Sequence, residues 1–321
     1  MKKVMALVLA LALGVLLCSC GSQTDTKKDD GTYTVGICQL AQHPALDAAT
    51  EGFKEALTAE LGDKVKILEQ NASGEANNCT TIINGFVSQK VNLILANATS
   101  PLQAAASATS TIPVLGTSVT DYATALEIKD WTGTVGTNVS GTSDLAPLDQ
   151  QAAMIKEWFP DKKTVGLLYC SAEANSQYQV DVMTAELTKL GYTCKPYSFT
   201  DSNDVASVTQ KACGEVDVIY IPTDNTAANN TEAIANVVLP AKVPVIAGEA
   251  GICSGCGVAT LSIDYKDLGT ATGKMAAKIL KGEAEVKTMP VEYATKFTKL
   301  YNKDNCEKLG LTAPEGYTAQ E

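Results

Sequence analysis

The chain has 321 residues, 45% of them apolar, with a formal net charge of −11, a pI of about 4.7 and one histidine, His43. That is enough chain for one large domain or two medium lobes around a real core. The acidic balance argues against nucleic acid as a partner, and a single histidine removes most histidine-based catalysis and most zinc sites.

The first stretch in chain order does not belong to a fold. Lys2 and Lys3 precede an unbroken apolar or small run from Val4 to Leu17. This run is shorter than the roughly 20 residues a membrane-spanning helix needs and suits the h-region of a signal peptide. It ends on Leu17-Cys18-Ser19-Cys20-Gly21, which resembles the lipobox of bacterial lipoproteins. Cys20 fits the lipidated position; Cys18 fits poorly, because bulky Leu17 would stand just before the cleaved bond. Residues 1–20 therefore read as a lipoprotein signal peptide, and 21–32 (GSQTDTKKDDGT), with nothing apolar to bury, as a flexible tether. The expected product is an extracytoplasmic protein held on the cell membrane by the acyl chains on Cys20, at least two being needed for stable anchoring.

From Tyr33 onward, short β-rich runs alternate with longer helical patterns. The predicted strands are Tyr33–Cys38, Lys64–Glu69, Leu93–Ala96 and Pro113–Gly116, then Thr164–Tyr169, Thr193–Ser198, Val218–Ile221 and Val245–Ala247. The predicted helices are Asp47–Leu61, Thr80–Ser88, Leu102–Ser110, Leu148–Trp158, Tyr178–Leu190, Asp204–Ala212, Thr231–Leu239 and Leu268–Leu280. This alternation implies an α/β fold with parallel sheets covered on both faces, and runs such as LILA and DVIYI fit strands buried on both sides. The order repeats. VNLILANATS, a helix and IPVLGTSVTD in one half match VDVIYIPTDN, a helix and VPVIAGEAG in the other. Two lobes of one architecture are expected, with the Gly-rich, β-branched segment Val135–Ser143 crossing between them.

In open parallel sheets ligands bind beyond the carboxyl ends of the strands. Those ends carry polar loops: Gln39–Asp47, Asn97–Ser100 and Thr117–Tyr122 in the first half, Ser171–Gln177, Thr223–Asn225 and Gly248–Gly251 in the second. Thr99 or Ser100, followed by Pro101, reads as a helix cap; the same helix start would also favour an anion such as a carboxylate. Glu173, Asp224 and Glu249 read either as solvated loop charges or, together, as partners for an ammonium group. A zwitterionic solute is therefore the expected ligand, with Tyr122, Tyr178 and Tyr265 as a possible aromatic wall. His43, in a carboxyl-end loop, is either a ligand residue or a structural histidine.

HPALD (43–47), TSVTD (117–121), GTSD (141–144), SAEANS (171–176), PTDN (222–225) and SIDY (262–265) occur in this order. With them the chain resembles the ABC-transporter substrate-binding proteins that include tryptophan- and tyrosine-binding lipoproteins. The resemblance covers about residues 33–311. It implies a type I periplasmic-binding-protein fold: two Rossmann-like lobes, a three-segment hinge and a ligand in the cleft. By that resemblance residues 31–138 and 267–287 form lobe 1, and 139–266 and 288–321 lobe 2. It also implies an aromatic amino acid as cargo, an ABC permease and ATPase as partners, a monomer, and neither cofactor nor metal. The expected ligand-binding residues are His43, Thr99, Ser100 and Thr120 from the first lobe and Glu173, Asn175, Ser176, Asp224 and Asn225 from the second.

Other classes fare worse. No G-x-G-x-x-G, Walker loop, H-E-x-x-H or G-x-S-x-G elbow is found, so an enzyme is not expected. Cys253 and Cys256 have C-x-x-C spacing, but among glycines they read as a loop pair or local disulfide rather than a metal or redox site. A sensor core of the same fold class would need a DNA-binding head or an output segment, and here the N-terminus is given to signal and tether. Another small solute in the same cleft remains the alternative ligand.

Overall fold

The computed structural model describes residues 31–320. The expected signal peptide, Cys20 and the tether up to residue 30 lie outside them. Five parallel strands, β1 (Tyr33–Gln39), β2 (Val65–Asn71), β3 (Leu93–Asn97), β4 (Val114–Val119) and β5 (Val139–Ser143), make a sheet of order β2-β1-β3-β4-β5, extended at its β5 edge by β11 (Glu292–Tyr293). A second sheet repeats the order: β6 (Thr164–Cys170), β7 (Thr193–Phe199), β8 (Val218–Ile221), β9 (Val245–Ala247) and β10 (Ala259–Ser262) run as β7-β6-β8-β9-β10. It continues into antiparallel β12 (Thr298–Tyr301) and then β13 (Thr318–Ala319). The repeat legible in the sequence is thus a repeat of topology, the doubly wound order 2-1-3-4-5 occurring twice.

Helices cover both faces of each sheet, which is why the central strands are apolar on both sides. In the first sheet Val35, Ile37, Leu93, Leu95 and Leu115 pack with Phe53 and Leu57, while Ile94, Ala96 and Val114 pack with Ile83, Phe86 and Leu102 on the other face. The helices are α1 (Pro44–Leu61), α2 (Ala76–Gln89), α3 (Thr99–Ala108), α4 (Tyr122–Ala125), α5 (Leu148–Trp158), α6 (Ala174–Lys189), α7 (Val205–Cys213), α8 (Asn225–Ala228), α9 (Thr231–Ala241), α10 (Ala250–Gly255), α11 (Tyr265–Leu280) and α12 (Lys303–Leu309). Several begin three or four residues before the predicted starts at Asp47, Thr80, Leu102 and Tyr178. The first turns of α2, α3 and α6 are largely polar and show no apolar period, so periodicity alone reads them as loop.

Three expectations are corrected. Val139–Ser143 is not a crossing segment but strand β5 of the first sheet, so the chain crosses after Ser143 and not before Val139. Its VSGTS sequence escapes a search for apolar runs because its buried side chains are hydroxyls paired with hydroxyls or carbonyls: Thr142 Oγ1 lies 2.8 Å from Thr272 Oγ1, and Ser140 Oγ donates to the Met289 carbonyl. The return likewise begins at Tyr265, where α11 starts, and Glu292–Tyr293 rejoins the first sheet, later than the limit expected at 287. Finally, Cys253 lies inside α10 with Cys256 as its C-cap. Both are buried free thiols, so they form neither a loop pair nor a local disulfide.

Helix α11 packs on α1 at backbone contact, joining late chain to early chain in the first lobe. A Cβ on Gly269 would collide with the Ala49 carbonyl, and one on Gly52 with the Lys266 carbonyl. Glycine is required here by close approach rather than by a turn. Gly269→Ala is expected to cost about 1–3 kcal/mol of stability through overpacking, read as a lower urea midpoint.

Candidate ligand-binding cleft

Every element around the interlobe chamber contributes residues that follow a strand's carboxyl end. His43, Ala45 and Leu46 follow β1, Ser118 and Thr120 end β4, and Asp144 follows β5. From the other lobe come Asn175 after β6, Thr223, Asp224 and Asn225 after β8, and Glu249 after β9, with Tyr265 at the start of α11. The space left among them is about 10 Å³, the room of one water. Two side-chain contacts bridge the lobes here: His43 Nε2 to Asn225 Oδ1 at 3.2 Å and Thr120 Oγ1 to Thr223 Oγ1 at 3.3 Å. Both second-lobe partners are held from behind, Thr223 by Gln179 and Asn225 by Glu173.

The chamber concentrates buried carboxylates with no lysine among its lining residues, and the whole chain lacks arginine. Three of the acids are consumed by their own lobe. Asp224 accepts from Ala227 N at 2.7 Å and Cys170 N at 2.6 Å, so it caps α8 and ties it to the end of β6. Glu249 caps α10 through Gly251 N and Ile252 N. Glu173 accepts from Thr226 N and Oγ1 on one oxygen and from Asn225 N and Nδ2 on the other. Burial, and then the charge of Glu173, push the Asp224 carboxyl up to about 7 against the amides that hold it down. Burial also raises Glu249, opposed by His43 and the two amides.

Asp144 differs. Its Oδ2 accepts from Tyr265 OH at 3.0 Å, while Oδ1 is buried without a partner. Burial pushes this carboxyl up to about 6, opposed by the Tyr265 and Thr120 hydroxyls. Two further lining atoms are buried and unpaired, His43 Nδ1 and Ser118 Oγ. An unpaired buried polar atom costs about 1–3 kcal/mol, so three in one chamber call for a ligand. Ser118 also holds φ at +55° where the β4–β5 register shifts, a strained backbone of the kind that gathers at binding sites.

Of the predicted site residues, His43, Thr120, Asn175, Asp224 and Asn225 line this chamber, and Glu173 stands directly behind Asn225. Thr99 is buried in the first turn of α3, and Ser100 faces a separate polar interlobe groove of about 370 Å³. Neither caps α3: the N-cap is Ala98, at φ +105°. Ser176 is fully buried, its hydroxyl supporting Asp224. Tyr265 lines the chamber. Tyr122 does not, being sunk in the first-lobe core with its hydroxyl on the Thr142 carbonyl and its ring stacked on Trp131. Tyr178, half-buried on α6, is not among the lining residues. Sequence reasoning missed Asp144 and Ser118, although both lie in motifs quoted above; Asp144 was hidden because β5 was not seen as a strand. A larger, mostly apolar cavity of about 780 Å³ lies at the opposite end of the first sheet around Pro113, Val139 and Val286.

Two matched doubly wound lobes closing polar strand ends around a small chamber define a two-lobed solute-binding protein of the type I periplasmic-binding-protein fold. A family model for ABC transporter substrate binding proteins matches residues 34–320, and the chain belongs to that family. It is 34% identical to a tyrosine-binding protein of Clostridioides difficile strain R20291, over 97% of this chain and 93% of the relative. A crystal structure of an ABC domain in complex with L-Trp from Streptococcus pneumonia is 34% identical, with a TM-score of 0.84 over 88% of this chain and 96% of that one. The ligand-free, open structure of a substrate binding protein with adhesive properties from Clostridium difficile is 37% identical over 90% and 99%, yet scores only 0.69. Greater identity with poorer superposition is what different lobe closure produces.

The raised Asp144 carboxyl sets a stability prediction. Its folded pKa of about 6 exceeds the ordinary 3.8, so the folded state holds the proton more tightly and stability falls as pH rises from about 4 to 6, remaining lower above that. At pH 7.5 the cost is about 3 kcal/mol. Asp144→Asn should therefore melt higher than the parent at pH 7.5 and lose this pH slope, as scanning calorimetry would show.

Proposed function

We propose that the chain captures an aromatic amino acid in this cleft and presents it to an ABC importer. The observation that carries the reading is the unpaired Asp144 Oδ1 in a chamber rich in buried acids, lined by no lysine and the size of one ammonium group. A buried carboxylate left half-satisfied is strongly stabilised by a positive partner. With no arginine in the chain, a ligand carboxylate is met by helix amides: Ala45 and Leu46, in the first turn of the 18-residue α1, line the chamber. The tyrosine-binding relative and the L-Trp complex support an aromatic side chain.

ABC substrate-binding proteins work outside the cytoplasm and bind rather than transform their solute. In this chain a chamber the size of one water admits an amino acid only when the lobes part, so capture runs by hinge opening and closure, the ligand favouring the closed state through contacts available only there. A monomer tethered through lipidated Cys20 would then hand its cargo to the permease and ATPase of the importer.

Calorimetry tests the cargo. L-tyrosine and L-tryptophan should bind, while tyramine, lacking the carboxylate, and 4-hydroxyphenylpropionate, lacking the amine, should bind at least about tenfold more weakly, the worth of one lost charged hydrogen bond. Absence of heat with tyrosine, tryptophan and phenylalanine alike would reject the reading. Mass spectrometry of the membrane fraction tests the anchor, where an unmodified Cys20 would remove it.

A further inference from the structure

We infer that Glu173 is a positioning residue that decides, through Asn225, which nitrogen of His43 faces the ligand as a lone pair. The inference rests on the amino-acid reading of the cleft and assigns its ammonium a second partner beside Asp144.

The chain of constraint runs from the second lobe to the first. Glu173 is buried, and its two oxygens take five donors: Asn225 N at 3.0 Å, Asn225 Nδ2 at 2.6 Å, Thr226 N at 2.8 Å, Thr226 Oγ1 at 2.8 Å and Asn175 Nδ2 at 3.3 Å. Two of these are backbone N–H groups, which only donate, so the carboxylate acts purely as an acceptor. The Asn225 atom against it must then be the NH₂ group, which leaves Asn225 Oδ1 pointing across the cleft to His43 Nε2 at 3.2 Å. An amide oxygen only accepts, so Nε2 carries the hydrogen. In a neutral imidazole the other nitrogen, Nδ1, is then a bare lone pair.

That lone pair is buried, unpartnered and in the lining of the same chamber as the unpaired Asp144 Oδ1. The chamber therefore presents two fixed acceptors and one rotatable hydroxyl, Ser118, to whatever enters. A group with several N–H bonds satisfies all three and a carboxylate does not, so this end of the chamber takes the amine. The charged groups around His43 are Glu249, Asp144 and Asp224 in the lining and Glu173 behind Asn225. Since His43 and Asp144 come from one lobe and Asn225 and Glu173 from the other, closure itself sets the histidine tautomer. A swung-away second lobe leaves the imidazole free to exchange.

The sole histidine of the chain makes this measurable without assignment. Long-range ¹H–¹⁵N spectra distinguish imidazole protonated at Nε2, at Nδ1 or at both. The tyrosine-saturated protein should show Nε2–H. Glu173→Gln, which can donate to Asn225 and turn its amide, should reduce the Nε2–H share and weaken tyrosine binding by about tenfold. Should Glu173→Gln not fold, Asn225→Asp sets a carboxylate against Nε2 and should give the doubly protonated ring. A bound histidine protonated at Nδ1 or at both nitrogens, or variant spectra identical to the parent, would overturn the relay while leaving tyrosine binding intact. Should tyrosine not bind, the ligand reading falls instead, and spectra of the protein held closed by an engineered interlobe disulfide judge the relay by the same parent-to-variant change.

Discussion

Negative charge buried at the junction of two lobes is the constraint on which the rest of this molecule depends. Glu173, Asp224, Glu249 and Asp144 are each less than 10% exposed, and no lysine lines the chamber with them. Desolvated carboxylates are tolerated only if something repays the lost hydration. For three of them backbone amides at helix starts do so, and each bond has a structural consequence. Asp224 ties the end of β6 to α8, Glu173 ties the start of α6 to α8, and Glu249 starts α10. The second half of the cleft is thus a rigid wall made of self-satisfied acids. Only Asp144, on the opposite wall, keeps an oxygen free, and that asymmetry turns a structural cluster into a binding site.

The wall exists because of how parallel strands end. In each sheet the order 2-1-3-4-5 brings all five carboxyl ends to one rim, where helix N-termini and their amides also collect. Placing two such rims against each other surrounds a small volume with donors from amides and acceptors from carboxylates, which is the complement of a zwitterion. The backbone is bent to achieve it: Ala98 and Ser118, at or beyond the ends of neighbouring strands β3 and β4, both hold positive φ. Neither residue is favoured in such a conformation, and each is locked by the surrounding rim.

Closure is held by modest forces. The two side-chain hydrogen bonds across the chamber join His43 to Asn225 and Thr120 to Thr223, and such bonds contribute about 1 kcal/mol each. A pair of that size biases an equilibrium without freezing it, so a ligand that contacts both lobes has room to decide the outcome. What makes the bonds effective is their preparation. Gln179 fixes the Thr223 hydroxyl and Glu173 fixes the Asn225 amide before the lobes meet, so little side-chain entropy is lost on contact.

Local chemistry made much of this legible in advance. The apolar runs at β1, β3, β6 and β8, and the repeat of strand, polar loop, helix and β-Pro-β, are enough to specify an α/β fold built twice, because strands buried on both faces admit few other residues. The polar strand ends pointed to a cleft, and His43, Thr120, Asn175, Asp224 and Asn225, all on those loops, line one chamber. Strand β5 was opaque because its burial is satisfied by hydroxyls from distant chain, Thr142 with Thr272 and Ser140 with Met289, pairings that no local pattern encodes. Asp144 was lost with it. The acids illustrate the division most clearly. Sequence alone determined that Glu173, Asp224 and Glu249 lie on one rim; only the tertiary structure decided that all three are already spent on amides while Asp144 is not, because a carboxylate's role depends on which donors the folded chain brings within about 3 Å of each oxygen.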